Sequence, residues 1–119
     1  MINTTLNKII NSIPTFNKIA SQNFDIKTAY LIAKIIQQLK EEIELFNQSK
    51  NLLLTKYNAQ KNDKNEFIIP KENIESFNKE IKELLNIEVK INTDKIEINN
   101  LNNIQCSPLE IESIIDFIK

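Results

Sequence analysis

The spacing of apolar side chains changes period along this chain, and each change predicts an element. Over residues 3 to 22, Leu6, Ile9, Ile10, Ile13, Phe16 and Ala20 recur on one side of a helix. Asn3 or Thr4 is placed to cap it, and Pro14, which has no backbone donor, predicts a kink or a division into two short helices. "SQNFD" at 21 to 25 reads as the turn. A much longer helix is predicted to follow, from an N-cap at Asp25 to Tyr57. Its apolar positions are Ile32, Ile36, Leu39, Ile43, Phe46, Leu53 and Tyr57, with Lys50 where one more would fall. Steps alternating between four and three form the heptad seam of a helix that packs lengthwise on others. Between them Lys34, Gln37, Gln38, Lys40, Glu41 and Glu44 form a solvated face.

Beyond Tyr57 the polar stretch 58–66, "NAQKNDKNE", predicts a loop in which asparagine and lysine stand where glycine often would. "FIIP" is a short strand or an extended entry to the next helix, about 71 to 86, which buries Ile74, Phe77, Ile81 and Leu84. The period then drops to two. Ile87, Val89 and Ile91 alternate with polar residues, Ile96 and Ile98 flank Glu97, and "INTDKI" between them suits the turn of an antiparallel hairpin. Last, "SPLE" at 107–110 predicts a helix start with Ser107 as cap, Pro108 at the first helical position and Glu110 closing a capping box. The fold class is therefore α+β, mainly helical. One domain over 1–119 is expected, made of an N-terminal helical segment (1–25), the long helix (26–57), the loop (58–66) and an α-β-β-α part (67–119).

The long helix raises a question of fit. Its 32 residues would span about 48 Å, whereas a compact domain of this size has a diameter of roughly 35 Å. The seam can be covered internally by the N-terminal segment and helix 71–86, or it can serve as a subunit or partner contact. Near its end "NLLLTKY" places Leu52, Leu53, Leu54 and Tyr57 within two turns. Consecutive residues step by about 100° around a helix, so one stripe cannot hold all four. The candidate interaction residues are accordingly Leu52, Leu54 and Tyr57 at that end, with Ile32, Leu39 and Ile43 on the seam.

Composition narrows the function mainly by exclusion. The chain has no glycine, so a P-loop or a Rossmann phosphate turn is excluded. It has no histidine, which removes the imidazole base and the commonest zinc ligand. All 15 basic residues are lysine, and the net charge is −1. Without arginine or a basic excess, no affinity for nucleic acid or an anionic membrane is expected. No stretch reads as a signal peptide or a transmembrane span. Cys106 stands alone and cannot form an internal disulfide, which suits a reducing interior. It precedes a helix start but has no base to activate it. Glu110, Glu112 and Asp116 read as cap and solvated face, and Glu41, Glu42 and Glu44 as the wet side of the long helix. No catalytic, cofactor or metal residues are assigned, and an enzyme is not expected. The richness in Ile, Asn and Lys is that of an AT-rich genome.

"IKTAYLIAK" opening the long helix, "LLTKY" closing it, "FNKEIKELLNIEV" and "SPLEIESIIDFI" occur in an order that resembles a family of small uncharacterised proteins encoded by phages and prophages of low-GC bacteria. The resemblance covers about residues 26–118. It departs from the family pattern at Asn58, where a glycine usually follows "KY", and in a shorter loop before the strand. It implies a viral genome and assigns no activity; with histidine, arginine and glycine missing, the expectation is a non-enzymatic protein acting by protein–protein association through a helical surface. Such a protein would serve as a virion or assembly component, or alternatively as an early protein that binds and inhibits a host factor such as a defence nuclease. The partner would be a second copy, another phage protein or a host protein. The setting would be the host bacterial cytoplasm or the virion.

Overall fold

The computed structural model describes residues 1–119. It is α+β and dominated by helix. The order is β1 (Ile2–Thr5), α1 (Leu6–Ala20), α2 (Ile26–Lys56), β2 (Gln60–Lys61), β3 (Phe67–Ile68), α3 (Lys71–Leu85), β4 (Glu88–Ile91) and α4 (Pro108–Ser113), with 3-10 turns at Ile98–Leu101 and Ile115–Phe117. The shape is elongated, 52 × 29 × 23 Å, with a radius of gyration of 17.1 Å. A compact chain of this length would give about 13.5 Å. The excess comes from α2, whose 31 residues run about 46 Å.

Almost all of the buried core lies at one end of that rod. Leu6, Ile9, Phe16 and Ile19 of α1 meet Ile32, Ile35 and Leu39 of α2, Val89 and Ile91 of β4, and Ile114 and Phe117 near the C-terminus. The Phe16 and Phe117 rings pack edge to face, with centroids 5.1 Å apart. Beyond Phe46, which still packs against it, α2 leaves this core and is accompanied only by α3, which has no buried residue. The two helices and the β2–β3 hairpin between them form an arm.

Two features of the N-terminal segment differ from expectation. "INTT" is a strand rather than a first helical turn, because Ile2 and Thr4 alternate with the exposed Asn3 and match Ile91 and Val89 across an antiparallel ladder. The helix therefore starts at Leu6, and its cap is Thr5, whose hydroxyl accepts from the Lys8 N–H at 3.3 Å. Pro14 does not divide α1, which runs through it unbroken. A mid-helix proline costs about 3 kcal/mol, and here Pro14 is exposed while Ile9, Ser12, Phe16 and Ile19 on the opposite side are all buried. That burial outweighs the loss.

The expected hairpin over 87–98 is also rearranged. Strand β4 forms as predicted, but its partner is β1. Just after Ile91 the Thr93 N–H turns back to the Ile91 carbonyl at 3.0 Å, which bends the chain away. Ile96 instead bridges Ile118 in parallel, its N–H donating to Phe117 and its carbonyl accepting from Lys119, both at 2.8 Å. The antiparallel hairpin of this fold lies earlier, within the stretch read as a loop, where Lys61 pairs Phe67 and Gln60 pairs Ile68. Its turn is held by Asn62, whose side-chain oxygen accepts from the N–H groups of Lys64 and Glu66, each at 2.9 Å.

The long helix begins and ends as its sequence dictates. The Asp25 carboxylate accepts from the Thr28 N–H at 3.2 Å, and hydrogen bonds from Thr28 hold its pKa below the ordinary value. At the other end Asn58 takes a left-handed conformation (φ 57°), so that Asn58 N–H reaches the Thr55 carbonyl and Ala59 N–H the Leu54 carbonyl. This is a Schellman closure with asparagine in the glycine position. The capping box of α4 is complete: Ser107 Oγ accepts from Glu110 N–H at 3.2 Å, and Glu110 Oε1 accepts from Ser107 N–H at 2.9 Å. That helix is short, however, and gives way at Ile114 to a 3-10 turn that turns Phe117 into the core.

Candidate functional site

The arm owes its form to a seam that outlasts the core. Ile32, Leu39, Phe46 and Leu53 lie seven residues apart and all face inward, as the heptad predicts. Thr28, before them, and Ile35, between them, are buried on the same side, whereas Ile36, Ile43 and Ser49 are half-buried at its edges. Lys50 is exposed, and Ser49 beside it is half-buried at the edge of the contact. Ile32 and Leu39 are buried inside the chain and offer no surface, and Ile43 is half-buried against the same core.

At the tip, α3 returns along α2 and gives the rod an internal partner. Leu54, expected at a partner surface, is only 7% exposed. Tyr57, expected there too, is half-buried: its ring meets Phe77 edge to face at 6.2 Å, and its carbonyl accepts from Asn73 Nδ2 at 3.0 Å. The Tyr57 hydroxyl donates to Glu80, and Lys56 Nζ donates to the two oxygens of that carboxylate at 3.0 and 3.1 Å. The Tyr57 hydrogen bond, and after it the Lys56 contact, hold Glu80 below the usual carboxylate range. The Glu80 carboxylate in turn raises the pKa of both Tyr57 and Lys56. These groups fasten the arm, and Tyr57 is not free to anchor anything else.

Leu52 is the member of the expected set that does face solvent, at 73% exposed. Two residues off the seam join it. Leu45 is 56% exposed and lies one heptad before Leu52, on the same line along α2. Ile87, just after α3, is 48% exposed. The signal for Leu45 was present in the sequence as a seven-residue spacing beside the seam, where acidic neighbours disguised it. Leu52, Leu53, Leu84 and Ile87 line an open groove of about 460 Å³ between the two helices, rimmed by Ser49, Lys56, Glu80 and Glu83.

Elsewhere the surface offers little chemistry. A cleft of about 490 Å³ beside α4 is lined by Leu109, Ile115 and Phe117 together with Lys8 and Asp116, and there Asp116 accepts from Thr4 Oγ1 at 3.1 Å and faces Lys8 at 3.3 Å. Those partners occupy it in joining α1, β1 and the C-terminus. Cys106 is half-buried against the core. No three acidic or cysteine side chains converge as a metal site would require, and no helix is long and apolar enough to cross a membrane. Comparison with family models, with curated proteins and with solved structures gives no match.

Proposed function

We propose that this chain works by association rather than catalysis, through the outer face of its two-helix arm, as a non-enzymatic phage-encoded interaction protein of the virion or its assembly. The observation that supports the association is the line of Leu45, Leu52 and Ile87, exposed beside an apolar groove on a projecting arm. Burying one leucine is worth roughly 1.5–3 kcal/mol, and large apolar side chains grouped on one face mark interaction sites. The phage assignment rests on the order of the four sequence motifs. Early inhibition of a host factor would use the same face and is separated by the identity of what binds.

The test is affinity capture from infected-cell lysate with the wild-type chain and with Leu52→Lys, which places a charge on the face without touching the core. Phage structural proteins retained by the wild type and lost by the variant are the expected result. Retention of a host nuclease instead would move the function to inhibition, and equal capture by both chains would remove the arm from consideration.

A further inference from the structure

We infer that the arm's occupant is a second copy of this chain, packed antiparallel about a two-fold axis that passes between Gln48 and Ser49 of α2; this rests on the reading of the arm as an association surface. The free stripe on α2 is bounded on one side by the globule: Gln38, next on the same line, is committed to β4's end, its side chain accepting from Asn92 N–H at 2.8 Å. On the other side α2 stops at Lys56. What remains runs from Glu41 through Leu45, Ser49 and Leu52 to Lys56, a stretch of about 24 Å on one side of the helix.

That stripe is self-complementary in the antiparallel sense. A two-fold axis midway between Leu45 and Leu52 sets each leucine against the other in the second copy, so that both exposed apolar residues are covered twice over. It also sets Glu41 of each copy toward Lys56 of the other. Lys56 already meets its own Glu80 at 3.0 Å, and an ammonium has a further donor to offer. A parallel arrangement would place glutamate on glutamate and lysine on lysine. At the axis the residue that meets its own copy is Ser49, small enough for the helices to approach to about 8 Å. The groove beside it, between Leu52 and Ile87, receives the second copy's Leu45. The contact is isologous, as a closed dimer requires.

Sedimentation equilibrium of the purified chain tests this directly. The mass should rise with concentration from 13.9 kDa toward twice that value. Each dimer buries two copies of Leu52, and each is worth about tenfold or more, so Leu52→Lys should weaken association at least ~100-fold. Leu52 is exposed in the monomer, and an unchanged circular dichroism spectrum verifies that the variant folds. Cross-linking fixes the arrangement. In a Cys106→Ser background, Ser49→Cys should oxidise to a covalent dimer, while Leu45→Cys should not, because its two copies lie about 10.5 Å apart along the axis, beyond the ~7 Å Cα limit of a disulfide. A chain that stays monomeric to about 1 mM, the edge of measurable affinity, overturns the inference, as does a dimer indifferent to Leu52→Lys or one that cross-links as readily at 45 as at 49. If the chain is monomeric yet Leu52→Lys abolishes capture of a different protein, self-pairing fails while the arm's role in association stands.

Discussion

Truncating Leu39 measures how unevenly this molecule is held together. Leu39 is fully buried where α2 crosses the core, with Ile35 one turn and Ile32 two turns before it on the same inward face. Leu39→Ala removes three carbon groups from an apolar setting, worth about 2.4 kcal/mol at ~0.8 kcal/mol each. The neighbours come from separate elements (α1, β4 and the C-terminal turn), so they cannot all move inward to fill the gap. A residual cavity of about 50–100 Å³ adds roughly 1–2.4 kcal/mol at ~24 cal/mol per Å³. The expected loss is therefore about 3.5–5 kcal/mol, a large part of the ~5–15 kcal/mol stability of an ordinary domain.

Urea denaturation followed by circular dichroism reads that loss as a lower midpoint with an unchanged slope. The comparison is Leu52→Ala, thirteen residues further along the same helix and exposed, which should shift stability by no more than about 0.5 kcal/mol in the monomer. Glu41→Ala, on the wet face, belongs with it. Similar losses at Leu39 and Leu52 would refute the division into a packed end and a thinly packed arm. A loss under about 1 kcal/mol at Leu39 alone would mean that the core collapses around the gap and that its multi-element enclosure is not rigid.

Other expectations follow from the caps and the tip. Ser107→Ala should cost about 1 kcal/mol and quicken amide exchange over residues 109–112, and unchanged protection would place the helix start elsewhere. Asn58→Ala should destabilise by about 1 kcal/mol because a left-handed backbone is unfavourable for alanine, whereas Asn58→Gly should be neutral or stabilising; thermal melts that rank them the other way would exclude the Schellman closure. The Tyr57 and Lys56 hydrogen bonds hold Glu80 below the ordinary carboxylate range in the folded chain, so its contribution is present above that range and is lost as pH falls through the folded value. Glu80→Gln should therefore flatten the acid side of the stability profile, and parallel profiles would show the Tyr57–Glu80–Lys56 group to be idle. On the alkaline side the sign reverses, because Tyr57 and Lys56 are raised: their contribution holds below their ordinary values and fades as pH rises through the folded ones.

The features legible in the sequence are those written in local spacing. The cap at Asp25, the turn-by-turn pattern of α2 and the capping box at "SPLE" each depend on residues within five positions of one another. The pairing of β1 with β4 does not. "INTT" supports a helix start or a strand equally well over four residues, and the ladder opposite, nearly ninety residues away, decides between them. The same limit explains the misplaced hairpin: alternation at 96–98 shows a half-buried segment but not its neighbour, and Ile118 supplies that neighbour. Leu54 and Tyr57 read as surface residues from the helix alone for a related reason, since its own spacing cannot reveal how far α3 returns along it.

The arm itself follows from two quantities that the chain cannot reconcile internally. A 31-residue helix needs a companion over its whole length to cover even one side, and α3, with 15 residues, covers about 22 Å of a rod of about 46 Å. The core covers the other half, so each stretch of α2 has one companion and no stretch of the arm has two. An ordinary surface helix answers this by making every remaining face polar, and α2 does so at Lys40, Glu44, Asn47 and Lys50. Within the arm Leu45 and Leu52 break that rule, and they break it on one line, on the side where the groove opens toward Ile87. Two leucines scattered on different faces would be ordinary surface variation. Aligned one heptad apart, with acid at one end and base at the other, they have the form of half a helical interface.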